Sequence, residues 1–196
     1  MLKRTFDIVV SSICLILLSP LFLIVSMIIK LDSRGPVFYK QIRVGKDSAD
    51  FLLYKFRSMR INSDKEGLLT VGEKDSRVTK TGFYLRKYKL DELPQLINVV
   101  KGEMSFVGPR PEVRKYVDLY DEKQRQVLKI RPGITDNASI IYRNENEMLS
   151  NTPDPETLYI NKIMPDKLKI NLEYLNNNSF TSDLKIIFRT IKAVFS

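Results

Sequence analysis

The sequence contains no histidine and only one cysteine, and both shortages restrict its chemistry. Histidine is the usual general base near neutral pH and the commonest zinc ligand, so its absence excludes a Ser/His/Asp triad and the ordinary zinc sites. The single cysteine, Cys14, lies inside an apolar run, so there is no disulfide framework and no cysteine metal site. Any catalysis must therefore use carboxylates, lysine, tyrosine or a hard metal ion.

Length and charge restrict the protein further. A chain of 196 residues suffices for one domain with a hydrophobic core, and 43% hydrophobic with 28% charged residues is typical of a globular domain. The 32 lysines and arginines outnumber 23 aspartates and glutamates, which gives a formal net charge of +9. This excess predicts a negatively charged partner, whether nucleic acid, anionic lipid or a phosphorylated substrate.

The amino-terminal segment is the longest apolar stretch. Residues 8–29 carry no charged side chain, and an α-helix needs about 20 residues to cross the hydrocarbon core of a membrane. A cleaved signal peptide is the least favoured interpretation, because Asp7 interrupts the charged start and no small-residue cleavage site follows. Ser19 and Pro20 predict a kink in the middle. A kinked spanning helix and a helix that enters and leaves by the same membrane face both fit these residues.

The rest of the chain predicts a compact α/β (α+β) domain with several short elements. Strands are expected over residues 37–42 and 51–56, as a hairpin, and over 139–143. A surface loop is expected over residues 62–76, followed by a helix from Thr79. Further helices are expected over residues 91–100, 112–129 and 184–194, with a short apolar segment at 104–107.

The last of these helices is amphipathic. Its apolar positions follow helical spacing at Leu184, Ile187, Phe188, Ile191 and Val194, and its basic residues lie on another face. Such a helix packs against a core or lies at a membrane surface, where basic side chains meet anionic headgroups. Both interpretations stay open from the residues alone.

Asp91 and Glu92 are adjacent at the start of a predicted helix. Unpaired amides and the helix dipole stabilise negative charge there by about 0.3–1 kcal/mol, so these carboxylates are expected to be ionised. An ionised carboxylate can attack phosphorus directly and can also bind magnesium. An arbitrary Asp-Glu pair is more often a plain helix cap without a chemical role.

Basic residues strengthen the chemical interpretation of this pair. Five of them lie beside motif-like segments and are predicted to converge on a diphosphate: Lys55, Arg86, Arg110, Arg131 and Arg143. The planar fork of arginine matches the oxygens of a phosphate group. Phosphoryl transfer needs mainly positioning and charge neutralisation, which arginines and Mg²⁺ supply without histidine.

A family resemblance extends over nearly the whole chain. Residues 89–111, KLDELPQLINVVKGEMSFVGPRP, closely resemble the core of the bacterial sugar transferases, the monotopic phosphoglycosyl transferases. Shorter similar segments are KRTFD at 3–7, SP at 19–20, GPVF at 35–38, YKFRSM at 54–59, RPGIT at 131–135 and RN at 143–144.

The resemblance implies a ping-pong reaction. Asp91 would attack the β-phosphate of a UDP-sugar, UMP would leave, and the phosphosugar would pass to polyprenyl phosphate. Glu92 would assist as a base or by positioning, and Mg²⁺ would be held mainly through Asp91. The positions that match positive residues around the family's active site are Lys55, Arg86, Arg110 and Arg143.

The resemblance also implies a location. Residues 1–32 would form a re-entrant membrane helix broken at Ser19 and Pro20, and residues 33–196 a cytosolic catalytic domain that ends in the amphipathic helix. The expected setting is the bacterial inner membrane, with the protein monotopic, facing the cytoplasm and in contact with membrane lipids. The chain resembles the minimal form of the family. Its product would start a surface glycan, with downstream glycosyltransferases as possible partners and no nucleic acid.

One departure from the family pattern affects the segment after residues 131–135. Many relatives continue Gly-Trp-Ala-Gln, whereas this chain has Asp-Asn-Ala-Ser at 136–139 and contains no tryptophan. Contacts to the sugar or nucleobase are therefore expected to differ here. Two alternatives to an enzyme remain: a membrane-tethered nucleic-acid-binding module that explains the charge, and a scaffold in which Asp91 and Glu92 only cap a helix.

Overall fold

The computed structural model of the chain describes residues 2–63, 67, 69 and 75–195. Helices predominate, together with two small two-stranded sheets, which confirms the predicted mixture of helix and strand. The α-helices are α1 (Leu2–Leu17), α2 (Ser19–Asp32), α3 (Lys80–Lys87), α4 (Gln95–Lys101), α5 (Arg114–Val117), α6 (Asn137–Ile141), α7 (Glu145–Ser150), α8 (Pro155–Leu158), α9 (Met164–Asn176) and α10 (Phe180–Phe195). The strands are β1 (Phe38–Val44), β2 (Asp50–Phe56), β3 (Ser105–Val107) and β4 (Gly133–Thr135).

The first two helices form a bent pair. The axes of α1 and α2 differ by 60°, and Pro20 occupies the first turn of α2, so the predicted kink is confirmed. Over the described part of the chain no single helix is long and apolar enough to cross a membrane. The two helices of the bent pair, taken together, have the length and composition to do so. Apolar side chains on the pair are exposed, among them Leu17, Leu23, Met27 and Leu31.

Both ends of this bent pair are attached to the rest of the protein. At the start of α1, Lys3 Nζ lies 2.6 Å from Asp183 Oδ2 and also donates to the carbonyl of Val107 in β3. Arg4 donates to a carbonyl near the end of α4. At the end of α2, the guanidinium of Arg57 donates to three main-chain carbonyls, those of Ile29, Ser33 and Arg34.

The first sheet is the predicted hairpin, with β1 and β2 paired antiparallel. Phe56 is 1% exposed and contacts the rings of Phe22 on α2 and Phe38 on β1. Side chains alternate along a strand, so Lys55 projects to the opposite face of the hairpin. Its side chain lines the large cleft described below.

The second sheet pairs β3 and β4 in parallel. Gly108 and Gly133 allow a close approach of their backbones, because a Cβ atom on Gly133 would lie only 2.2 Å from the amide nitrogen of Gly108. This contact holds the turn that contains Arg110 against the segment leading into α6.

Two predicted elements are wrong. In place of a helix over residues 112–129 the chain forms α5 and a separate 3₁₀ helix, Gln124–Lys129. Asp121 and Gln124 exchange side-chain to main-chain hydrogen bonds of 2.7 and 3.0 Å, which start a new turn. Of the strand expected over residues 139–143, residues 139–141 instead belong to helix α6 and residues 142–143 to the turn after it, because the Asp136 carboxylate caps the amide of Ser139.

Other expectations have mixed outcomes. The helix predicted from Thr79 is α3, and Thr79 Oγ1 accepts from the amide of Gly82 as its N-cap. The loop predicted over residues 62–76 falls largely outside the described residues. The last helix is confirmed as α10, but packing buries only part of it: Ile186 is buried, whereas Phe188 and Ile191 are 70% and 51% exposed.

Arg57→Ala is expected to lower the free energy of unfolding by about 1–3 kcal/mol, because it removes the side-chain donors to the carbonyls of Ser33 and Arg34, just after α2. Arg125→Ala is the matched control, since exposed Arg125 also donates to a main-chain carbonyl, that of Tyr120. Thermal denaturation followed by circular dichroism compares the two variants. Equal, small losses would show that Arg57 does not fasten α2.

Candidate active site

Asp91 and Glu92 lie on a short 3₁₀ helix, Leu90–Glu92, and not at the start of an α-helix as predicted. Lys89 precedes it in the left-handed conformation with φ of 55°, which turns the chain sharply after α3. Helix α4 begins later, at Gln95, and ends at Lys101, followed by Gly102 with φ of 90°. The two carboxylates therefore do not lie in the first turn of α4, where the helix dipole was expected to stabilise their negative charge.

Glu92 is held between two cations. Its Oε1 atom accepts from Lys55 Nζ at 3.0 Å and from Arg110, and its Oε2 atom accepts from Arg110 at 3.2 Å. Burial alone would raise the pKa of Glu92, but the charges of Arg110 and Lys55 outweigh it and hold that pKa well below its usual range. Glu92 is therefore ionised, with both oxygens already engaged.

The two cations respond differently to this pairing. The charge of Glu92 raises the pKa of Arg110, whereas burial lowers the pKa of Lys55 in spite of the ion pair. The difference follows from chemistry, because an ammonium ion depends more on hydration than a delocalised guanidinium. Arg110 and Glu92 therefore both keep their charges in the cluster, whereas the charge of Lys55 is less favoured at its buried position.

Asp91 is different from its neighbour. It is 6% exposed, and among the described residues no hydrogen bond or ion pair to its carboxylate is found. Burial raises the pKa of Asp91, Lys55 opposes that effect, and Glu92 adds to it. The prediction that the negative charge of Asp91 is stabilised is therefore wrong, because its surroundings disfavour the ionised form. Asp91 has carboxylate oxygens available to a bound molecule, and a carboxylate can act as a nucleophile when it is ionised.

These residues line a cleft of about 750 Å³. The hairpin and the 3₁₀ helix form one wall, and residues of α6 and α7 with their connection form the other. The predicted site residues that line the cleft are Lys55, Arg86, Asp91, Glu92, Arg110 and Arg143. The cleft therefore combines one unpaired carboxylate with several cationic side chains.

Arg131 differs from the other predicted cations. It does not line the cleft, and its Nε atom donates to the carbonyl of Gly102 at 2.7 Å. In this position it braces the end of α4. Its location beside a stiff Pro-Gly turn resembled that of Arg110 in the sequence, but the two turns point their arginines to different places.

The structure adds cleft residues that the sequence reasoning missed, among them Arg43, Lys89, Tyr142 and Lys167. Lys89 is the first residue of the family-like segment 89–111, and Tyr142 directly precedes Arg143, so their positions in the sequence could have indicated them. Arg43 and Lys167 come from β1 and α9, where nothing local distinguishes them from solvated surface lysines and arginines.

The donor set suits a magnesium ion that arrives with its substrate. Within the described ranges there is no group of three or more acidic or cysteine side chains that could hold a metal by themselves. Of the acidic pair, Glu92 is occupied by its cations, so Asp91 is the member left to coordinate. Mg²⁺ is commonly bound by one or two carboxylates together with substrate phosphates and water. The cleft fits such an ion and does not form an all-protein cage.

The cleft thus places a buried, unpaired carboxylate among cationic side chains, and such cations commonly bind phosphate groups. The family model described as "Bacterial sugar transferase" matches residues 1–196, and the chain belongs to this family.

Three curated relatives illustrate the similarity. A UDP-N-acetylgalactosamine-undecaprenyl-phosphate N-acetylgalactosaminephosphotransferase of Aeromonas hydrophila is 38% identical, over 100% of this chain and 44% of its own length. The exopolysaccharide production protein ExoY of Rhizobium meliloti is 38% identical, over 99% and 85%. A UDP-glucose:undecaprenyl-phosphate glucose-1-phosphate transferase of Escherichia coli is 37% identical, over 97% and 39%. The chain thus spans less than half of the length of two of these relatives.

Asp91→Asn is expected to stabilise the fold at neutral pH. Because the folded-state pKa of Asp91 is raised, the folded protein binds its proton more tightly than the unfolded chain, and ionisation lowers the stability as the pH rises above about 4. The amide has no such cost. Denaturant unfolding of both proteins between pH 4 and 8 checks this: the variant should gain relative to the native chain as pH increases. A difference independent of pH would contradict the raised pKa.

Proposed function

We propose that this protein is a phosphoglycosyl transferase that moves a sugar 1-phosphate from a UDP-sugar to polyprenyl phosphate, with undecaprenyl phosphate as the acceptor. The observation that carries the proposal is the unpaired carboxylate of Asp91, buried beside a saturated Glu92 in a cleft lined by Lys55, Arg86, Arg110 and Arg143. Family membership and the activities in the names of the relatives support the same reaction.

In the first half-reaction a carboxylate oxygen of Asp91 attacks the β-phosphorus of the UDP-sugar. A bond forms between that oxygen and phosphorus, the bond from the β-phosphorus to the bridging oxygen breaks, and UMP leaves with the electron pair. The remaining phosphosugar is attached to Asp91 as an acyl phosphate. The cations of the cleft neutralise the diphosphate, which otherwise repels an attacking anion.

In the second half-reaction an oxygen of polyprenyl phosphate attacks the same phosphorus. The bond from phosphorus to Asp91 breaks, the carboxylate is restored, and a polyprenyl diphosphate sugar is released. Such a product suits the start of a surface glycan, on which downstream glycosyltransferases would then act. The name of the Rhizobium meliloti relative, an exopolysaccharide production protein, supports this role.

Glu92 acts by positioning in this proposal. Its oxygens are engaged by Lys55 and Arg110, and its lowered pKa makes it a poor proton acceptor. It therefore aligns the two cations with the diphosphate. Asp91 would hold Mg²⁺ together with the substrate phosphates, and the ion would supply additional charge neutralisation on the transferred group.

The proposal places the protein on the cytoplasmic face of the bacterial inner membrane, with residues 1–32 as a re-entrant helix. Both ends of the α1–α2 pair contact the same domain, through Lys3 at one end and Arg57 at the other. Exposed apolar residues on α1 and α2, and Phe188 and Ile191 on α10, offer a surface for membrane lipids. This arrangement favours the re-entrant helix over a kinked spanning one.

Asp91→Asn is expected to abolish UMP release from a panel of UDP-sugars, measured with purified protein, Mg²⁺ and undecaprenyl phosphate. The amide keeps the size of the side chain but removes the nucleophile. Asp154→Asn is the control and should retain native turnover, since Asp154 is an exposed helix cap that does not line the cleft. Radiolabelled sugar phosphate retained on the native chain but not on Asp91→Asn would support the covalent intermediate.

Two outcomes would overturn the proposal. Native turnover by Asp91→Asn would leave the acidic pair a structural element and favour the scaffold. No release from any donor by folded native protein, together with salt-sensitive binding of nucleic acid, would favour the tethered binding module.

The re-entrant arrangement predicts that residue 2 and the catalytic domain lie on the same side of the membrane. Cys14 is the only cysteine of the chain, so Leu2→Cys or Lys123→Cys in a Cys14→Ser background gives single labels at exposed positions. Both should react with a membrane-impermeant maleimide in inverted vesicles and neither in right-side-out spheroplasts. Labelling of the two positions from opposite sides would show a spanning helix.

A further inference from the structure

Asp136 is a buried carboxylate at a junction of three segments. It is 1% exposed. Its Oδ2 atom accepts from the main-chain amide of Arg110 at 2.9 Å and from Asn171 Nδ2 at 3.3 Å, while Oδ1 accepts from the amide of Ser139. A buried carboxylate is tolerated when several donors satisfy it. Asp136 thus joins the turn around Arg110, helix α6 and helix α9.

Each of these segments carries a side chain into the cleft. The turn carries Arg110, which pairs with Glu92. Helix α6 leads directly into Tyr142 and Arg143 on the opposite wall. Helix α9 carries Lys167, which forms an ion pair of 2.7 Å with Glu145, another residue of that wall.

We infer that Asp136 is a positioning residue that sets the distance between the two walls of the cleft, so that Arg110 and Arg143 can grip one diphosphate together. The inference rests on the proposed function and deepens it.

The chemistry of an Asp136→Asn variant separates this role from simple helix capping. Asparagine caps a helix as well as aspartate does, so the amide of Ser139 keeps its acceptor. The new Nδ2 group then faces the amide of Arg110, donor against donor. The Oδ1 atom of Asn171 is buried without a partner in the described structure, so a rotation of that amide can accept from Nδ2. The Arg110 amide is the group left unsatisfied.

The experiment measures UMP release and UDP binding for the native chain, Asp136→Asn, Arg110→Gln and the double variant, all with Mg²⁺. Loss of one buried hydrogen bond predicts that Asp136→Asn lowers kcat/KM and UDP affinity about tenfold. Since Asp136 acts through Arg110, the same change in the Arg110→Gln background should cost less than about twofold, as expected for coupled residues. Asp154→Asn, an exposed Asp cap, should match the native chain in both measurements.

Each outcome decides one of the two proposals. Native kinetics and native UDP affinity in folded Asp136→Asn would overturn the inference, as would effects of Asp136→Asn and Arg110→Gln that multiply independently. Calorimetric binding of UDP does not require turnover, so it tests the spacing of the walls even where no UMP is released. Weakened UDP binding in Asp136→Asn without turnover by the native chain would support the brace and overturn the proposed reaction.

Discussion

The geometry of the cleft depends on two ion pairs, which the buried carboxylate of Glu92 forms with Lys55 and Arg110. Charges withdrawn from water are costly unless they compensate one another with good hydrogen bonds. Here the three partners come from β2, the 3₁₀ helix and the turn after β3, which are distant in sequence. Because these three charges must lie close together, they hold three separate segments against one another. The cleft lies beside this cluster.

This cluster also explains why two adjacent carboxylates behave differently. Glu92 takes the available cationic hydrogen bonds, so its pKa is lowered. Asp91 shares the burial but not those bonds, and the negative charge of Glu92 adds to the cost of ionising it. A single structural arrangement thus places an ion-paired carboxylate and an unpaired one in successive positions, and among the described residues the oxygens of the unpaired one accept no hydrogen bond.

The local sequence predicted those parts of the site that can be recognised from the types of neighbouring residues alone. The hairpin around Lys55, the acidic pair and the arginine in a proline-rich turn were all recognisable, because turn residues and alternation are local signals. Arg131 and Arg110 have similar neighbours in sequence, yet only Arg110 lines the cleft. The two turns pack against each other through Gly108 and Gly133, a contact between distant segments that no local pattern records, and their arginines reach different partners, Glu92 for Arg110 and the Gly102 carbonyl for Arg131.

The two secondary-structure predictions that failed, over residues 112–129 and 139–143, have a common cause in side-chain capping. Ile140 and Ile141 favour a strand by propensity, but Asp136 caps the amide of Ser139 and starts a helix. The same side chain accepts from the Arg110 amide, so the residue that overrides local propensity also links the cleft walls. A strand there would continue through Arg143, whereas the helix ends at Ile141 and Arg143 lies in the turn before α7. The point at which α6 ends therefore fixes where the chain turns, and Arg143 lines the cleft from that turn.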